Sequence, residues 1–144
     1  MYCHYAAERL NNINVLIVED ERALSHALEL KLQHEGFTVT VASNGKECLD
    51  AFRAQQFDII LLDLIMPLMD GFQLLKQLSK RPRMPAVFVM SSLSQHEDEA
   101  RVLALGARKF FVKSNTPLTT IVDEVKKAKV LDASDAHAII KPKV

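Results

Sequence analysis

Val15-Leu16-Ile17-Val18-Glu19-Asp20 is a run of four apolar, mostly β-branched residues closed by two acids. Short runs of this kind read as strands buried on both faces of a parallel sheet. The pattern returns twice. Ile59-Ile60-Leu61-Leu62 ends in Asp63, and Phe110-Phe111-Val112 ends in Lys113. In open α/β sheets, ligands bind in the crevice outside the carboxyl ends of the strands. Charges at the ends of three such strands therefore meet in one crevice. Carboxylates with one lysine there suit a divalent cation and a phosphoryl group.

Outward from these runs, strands and helices alternate five times. Strand one covers about residues 13–19 and the first helix about 21–35, with Leu24, Ala27, Leu28 and Leu32 at helical spacing and Gly36 as its stop. Strand two follows over about 37–42. Asn44-Gly45 opens a short helix with Cys48, Leu49 and Phe52 expected inward. Strand three is 58–62, then Pro67 to Gly71 reads as a loop before a helix carrying Phe72, Leu75 and Leu78. Strand four is Ala86 to Met90. Ser94-Gln95-His96-Glu97 matches a capping box for a fourth helix running to about Leu105. Strand five is 109–112, and Thr116-Pro117 fits an N-cap with proline at the first position of a helix burying Leu118, Ile121, Val122 and Val125.

Alternating βα units predict a doubly wound α/β fold of the flavodoxin-like (βα)5 type. The sheet is parallel, five-stranded, in the order 2-1-3-4-5, with right-handed crossovers. Its switch point lies between strands one and three, where Glu19, Asp20 and Asp63 converge. Residues 1–12 read as a leader, 13–131 as the domain, and 132–144 as a tail or the start of a linker.

Composition excludes several function classes. The 144 residues are 49% apolar and 25% charged with formal net charge zero, which suits one globular domain. No basic excess marks a nucleic-acid binder. Lys80-Arg81-Pro82-Arg83 and Lys126-Lys127 read as solvated surface. No apolar stretch reaches membrane-span length, and the expected location is cytoplasmic. Cys3 and Cys48 form neither a disulfide framework nor a zinc pattern, and Cys48 reads as a small core residue. The five histidines lack ligand spacing and read as solvated or capping residues.

In the crevice, Asp20 and Asp63 with Glu19 behind them match magnesium, which takes one or two carboxylates and keeps waters. Manganese would be held by the same oxygens. The alternative is that Glu19-Asp20 only supports the N-terminus of the first helix. Asp63 is the candidate nucleophile, since a carboxylate accepts a phosphoryl group as an acyl phosphate. Asp58 sits at the wrong end of its strand, and Asp70-Gly71 has turn composition. Lys113 would neutralise the incoming charge. Ser91, or its neighbour Ser92, would donate a hydroxyl to a phosphoryl oxygen.

Four segments in this order resemble the receiver domain of two-component response regulators, including the single-domain chemotaxis type: Val15 to Asp20, Leu62-Asp63-Leu64-Ile65-Met66-Pro67-Leu68-Met69-Asp70-Gly71, Val89-Met90-Ser91-Ser92, and Leu105 to Lys113. The resemblance implies that Asp63 is the phosphoacceptor, charged by a sensor histidine kinase or histidine phosphotransfer protein. It implies Asp20 and Asp63 as side-chain magnesium ligands, the Ile65 carbonyl as a backbone ligand, and Glu19 as the supporting acid. Ser91 resembles the switch hydroxyl, Lys113 the phosphate-contacting lysine, and Phe110 the switch aromatic. Ile65 and Leu93 correspond to the residues flanking the hydrolytic water. The chain departs from the family pattern in Ser114 after the lysine, where proline is common, in Ser92 in place of a smaller residue, and in Phe110 where tyrosine is frequent.

The implied activity is a phosphorylation switch read on the fourth helix, fifth strand and fifth helix by a downstream protein or an output domain. A phosphorylation-dependent homodimer fits the same resemblance. The protein is expected to modify itself and not to be an enzyme on an external substrate. The alternatives are a receiver-like interaction module without phosphorylation and a haloacid-dehalogenase-type phosphatase. The latter wants a second acid where this chain has Ile65.

Overall fold

A computed structural model describes residues 13–66, 69–92 and 96–128. The leader and tail, Pro67, Leu68, Leu93 and the Ser94-Gln95 half of the expected capping box lie outside the described residues. Five strands, β1 (Asn14–Val18), β2 (Thr38–Ala42), β3 (Ile59–Asp63), β4 (Ala86–Ser91) and β5 (Lys109–Val112), form one sheet. All its pairings are parallel, in the order β2-β1-β3-β4-β5. The expected topology holds. Between the strands run α1 (Arg22–His34), α2 (Gly45–Ala54), α3 (Gly71–Ser79), α4 (His96–Ala104) and, after β5, α5 over residues 118–128.

Alternation along each strand sends side chains to opposite faces of the sheet. Val15, Ile17, Ile59, Leu61, Phe88 and Met90 join Leu28 and Leu32 of α1 and Ile121, Val122 and Val125 of α5. Leu16, Val18, Ile60, Leu62, Val87 and Val89 join Cys48 of α2, Leu75 and Leu78 of α3, and Val102 of α4. The central strands are thus buried on both faces, which is why they read as unbroken apolar runs.

The helix ends follow from local chemistry. Asn44 Oδ1 accepts the Glu47 N–H at 2.9 Å, and Glu47 Oε1 returns to the Ser43 N–H at 2.8 Å. Asp70 Oδ1 caps α3 by accepting from the Phe72 N–H at 2.9 Å. Gly36 and Gly106 take φ of 98° and 105°, the left-handed turn that ends α1 and α4. In each, the next residue bonds back five residues, Phe37 N–H to Leu32 and Ala107 N–H to Val102.

Three expectations need correction. Leu49 is not inward but half exposed, because it lies one residue round the helix from the Cys48 stripe. The loop after β3 contains a short antiparallel ribbon, Ile65–Met66 against Met69–Asp70. Pro117 supplies the first acceptor carbonyl of α5, to the Ile121 N–H, so the cap falls one residue later than Thr116. Among the described residues, no helix is long and apolar enough to cross a membrane.

Candidate functional site

The sheet's ladder runs past the strand ends and fixes the residues that follow. The Glu19 N–H donates to the Ala42 carbonyl at 3.0 Å, the Leu64 N–H to Met90 at 2.9 Å, and the Lys113 N–H to Ser91 at 2.8 Å. Asp63 is itself the last residue of β3, paired with Met90 of β4. Four site residues are therefore hung on sheet hydrogen bonds or placed directly beside one.

Their side chains converge. Lys113 Nζ lies 3.0 Å from Asp63 Oδ2 and 2.6 Å from Glu19 Oε1. Asp63 Oδ1 accepts the Ile65 N–H at 3.2 Å, and Glu19 Oε2 accepts the Glu21 N–H at 3.1 Å. Glu19 and Asp63 are buried, while Asp20 is exposed at the rim. Glu19 Oε1, shielded from water, therefore has the Lys113 ammonium as its positive partner. Burial pushes the Glu19 carboxyl up to about 7, reinforced by the nearby Asp63 charge and opposed by Lys113 and the Glu21 N–H. Burial acts to lower the Lys113 ammonium, but the contacts with Glu19 and Asp63 outweigh it and the net shift is upward.

A ligand oxygen from each of Glu19, Asp20 and Asp63 lies within 4.8 Å of the others. Three hard oxygen donors with one exposed edge suit a magnesium-type ion, which keeps several waters. The donor set is consistent with such a cation.

The other predicted residues fall around this cluster. Ser91 is fully buried at the end of β4, beside the residue that pairs with Asp63. Phe110 is partly buried against the α2–α3–α4 core, while its neighbour Phe111 stacks on Phe88 in the opposite core. Ile65 is half exposed and touches the site through its N–H. Leu93 lies outside the described residues. With Ser114 in place of proline the peptide after Lys113 is trans, and the lysine still reaches both acids. Asp58 accepts the Asn14 N–H at the far end of the sheet.

Two features escaped sequence reasoning. Gly71, read as part of a turn, is the buried first residue of α3, and a Cβ there would lie 2.5 Å from the Leu64 carbonyl oxygen. Arg101 of α4 places its guanidinium carbon 3.9 Å from the centre of the Phe72 ring. Aspartate before Gly-Phe with Leu75 following could have signalled the helix start. No sequence signal marks the second contact, which crosses between helices.

A family model described as the response regulator receiver domain matches residues 15–139. Response regulator ArlR of Staphylococcus epidermidis is 34% identical over 100 residues, covering 69% of this chain and 45% of that protein. The cell cycle response regulator CtrA of Brucella ovis is 34% identical over 101 residues, 70% of this chain and 44% of the other. The receiver domain of the Francisella response regulator 1452 superposes with a TM-score of 0.72 at 28% identity, over 80% of this chain and 94% of that one. This chain spans less than half the length of the two curated relatives it matches here.

Proposed function

Because this chain belongs to the response regulator receiver domain family, a family of phosphorylation-based signalling modules, we propose that Asp63 is its phosphoacceptor. One observation carries the reading: Asp63 ends a central strand in contact with Lys113 and within a cluster of two further acids. A carboxylate oxygen of Asp63 attacks the phosphorus of a phosphohistidine. The P–O bond forms as the P–N bond breaks, and the electron pair leaves with the imidazole nitrogen, which takes a proton from solvent. Lys113 follows the charge from the carboxylate to the phosphoryl oxygens. The Ile65 N–H holds the carboxylate in place, and the Ser91 hydroxyl accommodates the phosphorylated state.

Asp20, Asp63 and the Ile65 carbonyl would hold a magnesium or manganese ion, with Glu19 in support. When bound, that ion supplies charge neutralisation for phosphoryl transfer. Receiver domains work with histidine kinases and output domains. For this chain the donor is a sensor histidine kinase or phosphotransfer protein. The readout runs through Ser91 and Phe110 to α4, β5 and α5, toward a downstream protein, an output domain or a second copy. The phosphorylated state favours its own arrangement only through contacts the other state lacks. The receiver occupies about residues 13–131, acts on its own carboxylate and works in the cytoplasm, where nucleotide-driven kinases operate. An unphosphorylated interaction module is not favoured, since the acids and the lysine sit together in one crevice.

The test is magnesium-dependent labelling with acetyl phosphate followed by mapping of the modified residue. Asp63→Asn, nearly isosteric but a poor nucleophile, is expected to lose all labelling while keeping its fold. Undiminished labelling at another acid would overturn the assignment.

A further inference from the structure

α4 is lightly held. Among its described side chains Val102 alone is buried, while Leu103 is 42% exposed. Across the gap to α3, the Arg101 guanidinium carbon stands 3.9 Å above the centre of the Phe72 ring, at the close end of the range for a cation–π contact. Phe72 follows Gly71, and Gly71 packs so tightly on Leu64 that a Cβ would strike its backbone. Leu64 follows Asp63. The ring that receives Arg101 is thus one residue from a backbone contact with the loop leaving the candidate phosphoacceptor.

From this juxtaposition we propose that Arg101 and Phe72 form a latch, with Arg101 a positioning residue that holds α4 in the arrangement seen here. The proposal rests on the reading of Asp63 and names a restraint on the helix that reading assigns to output. An exposed cation–π contact alters a two-state equilibrium by about two- to fivefold. Releasing the latch therefore frees α4 by that factor. The latch belongs to the arrangement that phosphorylation leaves, so linkage requires a phosphoryl mimic to bind tighter by the same factor once it is released. Coupling between the two side chains is read by changing them singly and together.

The experiment uses the full chain in magnesium buffer, with Arg101→Gln, Phe72→Leu, the double variant, and Phe72→Tyr as the conservative control. One readout is hydrogen exchange at the Leu105, Gly106 and Ala107 amides, which bond back to Arg101, Leu103 and Val102. The other is half-saturation by beryllofluoride, a phosphoryl mimic. Each single variant is expected to exchange two- to fivefold faster and to bind the mimic two- to fivefold tighter. The double variant should go no further than the stronger single, and Phe72→Tyr should match the parent. Unchanged exchange in Arg101→Gln with parental melting, or effects that multiply in the double variant, would overturn the latch. If the parent itself fails to bind beryllofluoride, the reading of Asp63 has failed, and the exchange comparison still decides whether Arg101 holds α4.

Discussion

Replacing Gly71 by alanine adds one methyl group against backbone. The new Cβ would stand 2.5 Å from the Leu64 carbonyl oxygen and 2.9 Å from its Cα. Reaching an ordinary contact of 3.4 Å requires Leu64 or the start of α3 to move by about 0.9 Å. Neither is free. The Leu64 N–H is bound to Met90, and α3 is pinned by the Asp70 cap and the buried Leu75 and Leu78. Overpacking of this kind costs about 1–3 kcal/mol, offset by up to about 1 kcal/mol from the better helix propensity of alanine. A net loss of about 1–2 kcal/mol, the middle of the resulting range, lowers the melting temperature of a domain of this size by roughly 3–8 °C. The effect on chemistry is larger, since Leu64 adjoins Asp63 and misplacement near 1 Å can cost about a hundredfold in rate. Acetyl phosphate labelling of Gly71→Ala should therefore slow by about ten- to a hundredfold. The control is Gly45→Ala, whose Cβ would meet only the flexible Met69 side chain, at 3.4 Å. That variant should melt at or above the parent and label normally. If Gly71→Ala behaves like Gly45→Ala in both assays, the Leu64 backbone is not the constraint described.

Asp20→Ala should raise the magnesium concentration needed for labelling, read by titrating the metal; an unchanged requirement would point to Glu19 as the ligand. Ile65→Asn with Leu93→Glu should shorten the life of the phosphorylated form by roughly ten- to a hundredfold, the effect of about 1.4–2.8 kcal/mol on the barrier, because amide and acid can position water where apolar groups exclude it. Parental decay of the double variant would refute apolar shielding. Burial raises the Cys48 thiol to about 11, so iodoacetamide at pH 8 should leave its peptide unmodified in the native protein and modify it in denaturant. The same shift has a stability consequence of fixed sign. The unfolded thiol ionises from about 9, and native stability contributed by the protonated thiol is lost as pH climbs toward about 11. Ready native modification at pH 8 would show that the cysteine is not sealed.

The fold was legible because its central strands are buried on both faces and so carry uninterrupted apolar runs. Their terminal charges announced the crevice, and parallel topology brought Glu19, Asp63 and Lys113 into contact. What stayed hidden depends on distances between elements. Leu49 and Cys48 look equally inward in a periodic reading, and only packing separates them. The ribbon at Ile65–Met66 is too short to show alternation, and its proline suggested a plain loop. Gly71 fits a turn by composition, whereas its reason for being glycine is a backbone on another segment. Arg101 has no feature of sequence that distinguishes it from other surface arginines.

Lys113 and Asp63 lie 50 residues apart, and β4 stands between their strands in the sheet. The countercharge therefore reaches the acids only after β5 has joined the sheet. A chain halted before that step would gather Glu19, Asp20 and Asp63 without their ammonium partner. It would attract divalent cations before it could manage a phosphoryl group. During refolding, cation capture should precede competence to accept phosphate, with docking of β5 as the event that separates the two.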